Sequence, residues 1–321
     1  MVAVVVLVAI FAPVIAPYPQ DQMDIVSMMG SPSHQHLLGT DDFGRDTLSR
    51  LFYGARVSLL VGCLSVLLAG TTGTTLGLAA GYFGGIVNTL IMRVTDIVLS
   101  FPVILLALAL VAALGASAQN VVLALGLTYW ASYARLVRAA TLGVRSEIFI
   151  DAAQAVGMSS GRIMARHIFP NILGPILVMA SLGIGSTIVA EASLDFLGLG
   201  VQPPTASWGA MTADGLRYLS QNADLSSFAG LAIMWTVLGF NLMGDGLAEL
   251  INPKTARVRT ANQSLGNTDS LEIIKETESA AYIPASSGNP FGERPAIDAA
   301  DTRATGSIGG PDNWDLRGDS R

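Results

Sequence analysis

Lysine is nearly absent from this 321-residue chain: Lys254 and Lys275 are the only two, and neither follows a glycine. A GxxxxGK(S/T) phosphate loop is therefore excluded, and with it nucleotide hydrolysis by that device. HExxH and CxxC are missing as well, and His34, His36 and His167 do not form a chelating set by spacing. The single cysteine, Cys63, rules out an intrachain disulfide; within its apolar run it reads as a small buried side chain. Charge is scarce too, at 13% of residues against roughly 25% in a soluble chain. Much of it is displaced to the end: residues 252–321 hold 8 of the 18 Lys and Arg and 10 of the 24 Asp and Glu. The net charge of −6 gives no footing for nucleic acid.

What remains is apolar, with 51% hydrophobic residues and a mean hydropathy of +0.53. A transmembrane helix needs about 20 mainly apolar residues, and five stretches meet that length: 57–80, 86–114, 119–138, 171–192 and 228–249. MVAVVVLVAIFAPVIA, residues 1–16, is shorter. A secretory signal wants a basic start, yet no Lys or Arg precedes Arg45. The stretch is read instead as a first transmembrane helix lacking its cytoplasmic beginning. The expected architecture is an all-α, multi-pass membrane protein of six spans. Residues 1–56 supply the short first helix and an external loop, 57–253 the core, and 254–321 a polar, disordered tail.

Arginine sets the expected orientation. Nine Lys and Arg lie near the membrane on the side shared by the 81–95 turn, the 139–170 loop and the C-terminus; Arg45, Arg50, Arg56 and Arg217 lie on the other. The C-terminus is thus predicted to be cytoplasmic. Gly70, Gly73, Gly77 and Gly81 carry the small-residue spacing that lets helices approach closely in lipid.

Acidic residues near membrane depth are candidate sites by default. Asp96, Glu191, Asp195, Asp245 and Glu249 all fall near predicted span ends. Structural pairing is expected, Arg93 serving Asp96, with Glu191 held as a candidate pathway residue. In TDDFGRDTLSR (40–50), Asp41, Asp42, Arg45 and Asp46 are read either as an external contact surface or as a self-contained capped turn.

The longest polar excursion is SEIFIDAAQAVGMSSGRIMARHIFPN, residues 146–171, within a cytoplasmic loop bounded at 141–170. Glu147, Asp151 and Gln154 share one helical face; Ile148, Ala152 and Ala155 line the next. Gly157 can supply the left-handed residue of a C-terminal cap. Ser159 or Ser160 can start a second short helix bearing Arg162 and Arg166, and Pro170 fits the first turn of the following span. Two short helices joined at a glycine, presenting a small-residue knob, make a docking element.

These residues resemble the EAA loop of bacterial ABC-importer permeases: Asp151-Ala152-Ala153 stand for the first triplet, Gly157 for the glycine and Ile168-Phe169-Pro170 for the close. Asp151 replaces the usual glutamate. HLLGTDDFGRDTLSRLFYGARVSLLVG (36–62), SLDFLGLGVQPPTASWGAM (193–211) and NLMGDGLAELINP (241–253) are similar to the dipeptide/oligopeptide "C" branch. The resemblance covers residues 1–253 and implies a type I importer permease bundle in a bacterial plasma membrane. It also implies partners: a second homologous permease forming a heterodimer, two cytoplasmic ATPases holding ATP and Mg, and an external substrate-binding protein. This chain itself would carry no cofactor, metal or catalytic residue. Coupling to the ATPases falls by resemblance on Asp151, Ala152, Ala153 and Gly157, flanked by Arg145, Glu147, Arg162, Ile168 and Pro170. Di- or oligopeptides are the implied cargo, and nickel or another small solute the alternative. An ion-driven transporter working alone would instead show polar groups in interrupted helices at the bilayer midplane.

Overall fold

The computed structural model describes residues 1–219 and 224–251; the expected disordered tail, 254–321, lies outside them. Ten α-helices are present among the described residues: α1 (Val2–Ile15), α2 (Thr47–Phe83), α3 (Gly85–Ser100), α4 (Val103–Leu114), α5 (Ala118–Arg145), α6 (Ile148–Ala155), α7 (Ser160–Ile163), α8 (Phe169–Phe196), α9 (Trp208–Arg217) and α10 (Asp224–Ile251). Three continuous helices are long and apolar enough to cross a membrane: Thr47–Phe83, Ser160–Phe196 and Ser226–Ile251. The bent pair α3–α4 can provide a fourth.

Residues 86–114 do not form one helix. α3 and α4 are bent by 92°, and the break is written in Phe101-Pro102. Proline has no amide hydrogen and its ring drives the preceding residue out of the helical region. Phe101 accordingly adopts φ −92° and ψ 141°. α5 is 28 residues long but is not among the helices apolar enough to span. Thr128, Trp130, Tyr133 and Thr141 are instead buried in protein, Thr128 donating to the Ala124 carbonyl at 2.7 Å.

α2 and α5 form the most extensive helix pair. Along their seam the backbones come so close that a Cβ on Gly73 would lie 2.4 Å from the Trp130 oxygen, and one on Gly77 2.7 Å from the Ala134 oxygen. At Gly81 it would meet the Thr141 Cβ at 2.7 Å. In lipid such packing replaces hydrophobic transfer as the adhesive. Gly70 is looser, with only the Tyr133 ring at 3.7 Å or more. α8 packs on α2, α5 and α10, and α1 lies on α2 and α10.

Cys63 is exposed on α2 rather than buried. It borders an open cleft on that helix together with Gly70 and Thr74. Asp96 pairs with Arg135, at 2.7 Å, and not with Arg93. α3 packs against α5, and that brings residue 96 beside residue 135; the i−3 arginine on the same helix is not its partner.

Candidate functional site

The 146–170 excursion begins where α5 ends. Ser146 Oγ donates to the Gly143 carbonyl at 2.8 Å, and Glu147 N–H to Val144 at 3.1 Å, turning the chain into α6. α6 is anchored by Ile150 and Ala153, which enter a cluster with Tyr82, Val137, Ile163, Ile168 and Ile172. It ends in a two-bond Schellman cap: Gly157 N–H donates to Gln154 at 2.9 Å and Met158 N–H to Ala153 at 3.1 Å. Gly157 has φ +81°, and no atom lies within 4 Å of where its Cβ would be. Glycine is needed there for its backbone, not for space.

With Ile150 and Ala153 turned inward, Asp151, Ala152, Gln154 and Ala155 are exposed. Two large apolar residues stand beside them, Ile148 at 84% and Val156 at 86% exposure. Phe149 is partly exposed as well, 6.5 Å from the His167 ring. A short helix thus carries small and apolar side chains outward.

The remaining residues of the loop divide between surface and support. Glu147 and Arg162 are exposed. Arg145 turns back onto α2, its guanidinium 5.7 Å from the Tyr82 ring centre and 3.4 Å from the Gly81 oxygen. Ile168 is fully buried, an anchor and not a contact surface. Ser159 starts α7 without a side-chain cap. α7 does not stop at Pro170 but passes through a π-helical turn, Met164–Ile168, straight into α8, with Pro170 in its first turn. GMSSG (157–161) spells the nucleophile-elbow pattern GxSxG, but it joins two helices here, whereas that elbow requires a strand before its helix.

The opposite end of α2 holds the acidic turn. Asp41, Arg45 and Asp46 are buried, so the self-contained turn and not the contact surface is what these side chains build. Asp41 ion-pairs with Arg45 at 2.7 Å and with Arg50. Asp46 caps α2, accepting from Ser49 N–H at 2.8 Å, and holds His36 Nδ1 at 2.9 Å. Local hydrogen bonding is the reason: a carboxylate at a helix N-cap satisfies otherwise orphan amides. Only Asp42 remains partly open. Burial, then the nearby Asp41 and Asp214, push its carboxyl above the usual carboxylate range.

Glu191 is completely buried and Asp195 nearly so, one turn later on α8. Asp195 gathers the loop that follows it, accepting from Val201 N–H, Ser207 Oγ–H and Ala210 N–H. A Cβ on Gly200 or Gly209 would collide with that carboxylate. These two glycines, with Ser58, Ser207 and Trp208, were not legible as partners from spacing alone; the signal was the glycine-rich SLDFLGLG…SWGAM block itself. Elsewhere, an open cleft of about 610 Å³ runs along α5, α8 and α10, with Tyr129, Ser132 and Ser186 as its hydroxyl-bearing residues.

A bundle of membrane-length apolar helices carrying an outward-facing excursion defines an integral membrane protein. Residues 73–257 match the family model described as binding-protein-dependent transport system inner membrane component, and the chain belongs to that family. It is 47% identical over 249 residues to the dipeptide transport system permease protein DppC of Alkalihalophilus pseudofirmus, covering 78% of this chain and 82% of that one. Against DppC of Escherichia coli K12 the identity is 49% over 259 residues, covering 79% and 86%. The glutathione transport system permease protein GsiD of Escherichia coli O6:K15:H31 is 43% identical, covering 79% and 84%. An inward-facing structure of the MetNI methionine ABC transporter shares the fold, with TM-score 0.53 and 18% identity over 63% of this chain and 96% of that one.

Proposed function

We propose that this chain is one half of the membrane pore of an ATP-driven importer of di- or oligopeptides. A second, homologous permease completes the pore, two cytoplasmic ATPases bind ATP and Mg, and an external receptor delivers the peptide. In this reading the bundle has six spans: α1, α2, the bent α3–α4, α5, α8 and α10. The 146–170 excursion and the C-terminus face the cytoplasm of a bacterial plasma membrane.

The observation that carries the reading is α6. Its inner face is locked by Ile150 and Ala153, while Ile148, Asp151, Ala152 and Val156 stand free of the bundle. A bundle without a phosphate loop takes its motion from outside, and this knuckle is where a neighbour can grip it. ATP-dependent closure of the neighbours moves α6, and differential contacts in the two states reorient the spans as rigid bodies. Asp151 and Ala152 set the knuckle's surface, Ala153 seats it from inside, Gly157 makes its end, and Glu147 and Arg162 its charged rim. Arg145 and Ile168 hold it to α2 and α8, and Pro170 opens α8. Peptide cargo rests on the dipeptide and glutathione permeases among the relatives.

The test is reconstitution of the chain with the subunits encoded beside it, followed by measurement of peptide uptake and peptide-stimulated ATP turnover. Ala152→Trp is expected to abolish both while leaving membrane insertion and thermal stability unchanged. Uptake by the chain alone in vesicles, without an ATPase, would overturn the proposal.

A further inference from the structure

Glu191 and Asp195 pose a problem of charge. Glu191 is 0% and Asp195 6% exposed, and neither forms an ion pair among the described residues. Two buried carboxylates side by side without a cation are untenable, since desolvation and mutual repulsion add. Yet the two stand four residues apart on one face of α8. Both reach the start of α9, Asp195 through Ser207 and Ala210 and Glu191 through Ser58, which holds Trp208. Carboxyl groups so placed can share a hydrogen bond only with a proton on one of them.

The neighbours decide which. An ionised carboxylate only accepts and has about four lone-pair sites. Asp195 already accepts from Val201 N–H, Ser207 Oγ–H and Ala210 N–H. That leaves one site for a donor, and Asp195 is built as the anion. Glu191 receives only the Ser58 hydroxyl, at 3.3 and 3.4 Å, and no backbone amide reaches it among the described residues. It is built as the acid.

We infer that Glu191 is a protonated glutamic acid that donates to the Asp195 carboxylate, and that this one proton clamps α2, α8 and α9 together at the end of the bundle remote from the 146–170 excursion. The clamp is continuous. Asp195 holds Ser207 and Ala210 at the start of α9, while the Ser58 hydroxyl of α2 accepts from Trp208 N–H at 3.3 Å and donates to Glu191.

Among the described residues, no other charge stands in for the proton. On α2, Arg50 is committed to Asp41 and Arg56 is exposed. On α9, Asp214 faces Asp42 and Arg50, and Arg217 is exposed. The α5 arginines bind Asp96, Asn88 and the Gly81 carbonyl. α1 and α4 carry no charged side chain, and the acids of α10, Asp224, Asp245 and Glu249, are exposed. Loss of the proton leaves two adjacent buried anions, so the clamp opens on the alkaline side.

The full chain in lipid nanodiscs provides the test. Infrared spectra at neutral pH are expected to contain the carbonyl stretch of a buried protonated carboxyl that is missing from Glu191→Gln, whose amide can donate in the same place. Raising the pH should remove the band from the wild type and lower its melting midpoint in step, while the midpoint of Glu191→Gln stays level. Identical carboxyl spectra for the two proteins, or parallel alkaline melting curves, would overturn the inference. Should Glu191→Gln fail to insert, Asp195→Asn decides: the band persists if Glu191 holds the proton, and its disappearance places the proton on Asp195 and overturns the assignment.

Discussion

Gly73 on α2 lies against Tyr133 on α5 so closely that a Cβ added to the glycine would stand 2.4 Å from the tyrosine Cβ. No side chain can yield there, because the contact is between the roots of two helices. Gly73→Ala is therefore expected to push α2 and α5 apart and to cost about 1–3 kcal/mol, the usual range for overpacking. Gly70→Ala, with only ordinary contact to the Tyr133 ring, should be neutral. Melting of the two purified variants in the same detergent separates them; equal midpoints would refute the packing argument.

Gly157 separates backbone need from contact need. Its φ of +81° suits glycine and is tolerated by asparagine. Gly157→Asn is expected to keep uptake near the wild-type level in the reconstituted assembly. Gly157→Val, with a strain of roughly 1–3 kcal/mol on the cap, should lose most of it while the protein still inserts. Equal uptake by the two variants would show that the cap does not matter.

Asp41 is the shared anion of Arg45 and Arg50, all three buried. Removing one member of such a group leaves uncompensated charge and typically costs about 3–5 kcal/mol. Asp41→Ala should therefore lower the melting temperature more than any substitution at the half-open neighbour Asp42. The comparison is made at neutral pH in one detergent.

Asp42 carries the opposite sign. Burial raises its carboxyl above the unfolded value, so the folded state favours the protonated form. That stabilisation is present in acid and lost as pH rises through the raised value. Asp42→Asn should thus melt higher than the wild type at neutral pH, and the difference should vanish below the ordinary carboxylate range. A pH series of melting curves checks both ends.

How much of this was readable beforehand depends on the range of the interaction. The cap at Gly157 and the two-helix form of the excursion were legible because both are decided within a few residues. The break at Phe101-Pro102 was equally local, but hydropathy is blind to a proline inside an apolar run. The Asp96–Arg135 pair and the meeting of Ser58 with Glu191 depend on how helices cross, which spacing along one helix does not encode. The acidic turn at 40–50 was ambiguous because the same aspartates that cap a helix also make a charged surface; burial distinguished them.

The glycine seam has a mechanical meaning. α5 runs directly into α6 through Ser146, and α5 is keyed to α2 at Gly73, Gly77 and Gly81. Interlocked teeth of this kind do not slip, so a shove delivered to the short helix is not dissipated between the two long ones. In the proposed coupling role the two would swing as a single spar out to the far tip of α2, where Asp46 and Ser49 tie off its first turn.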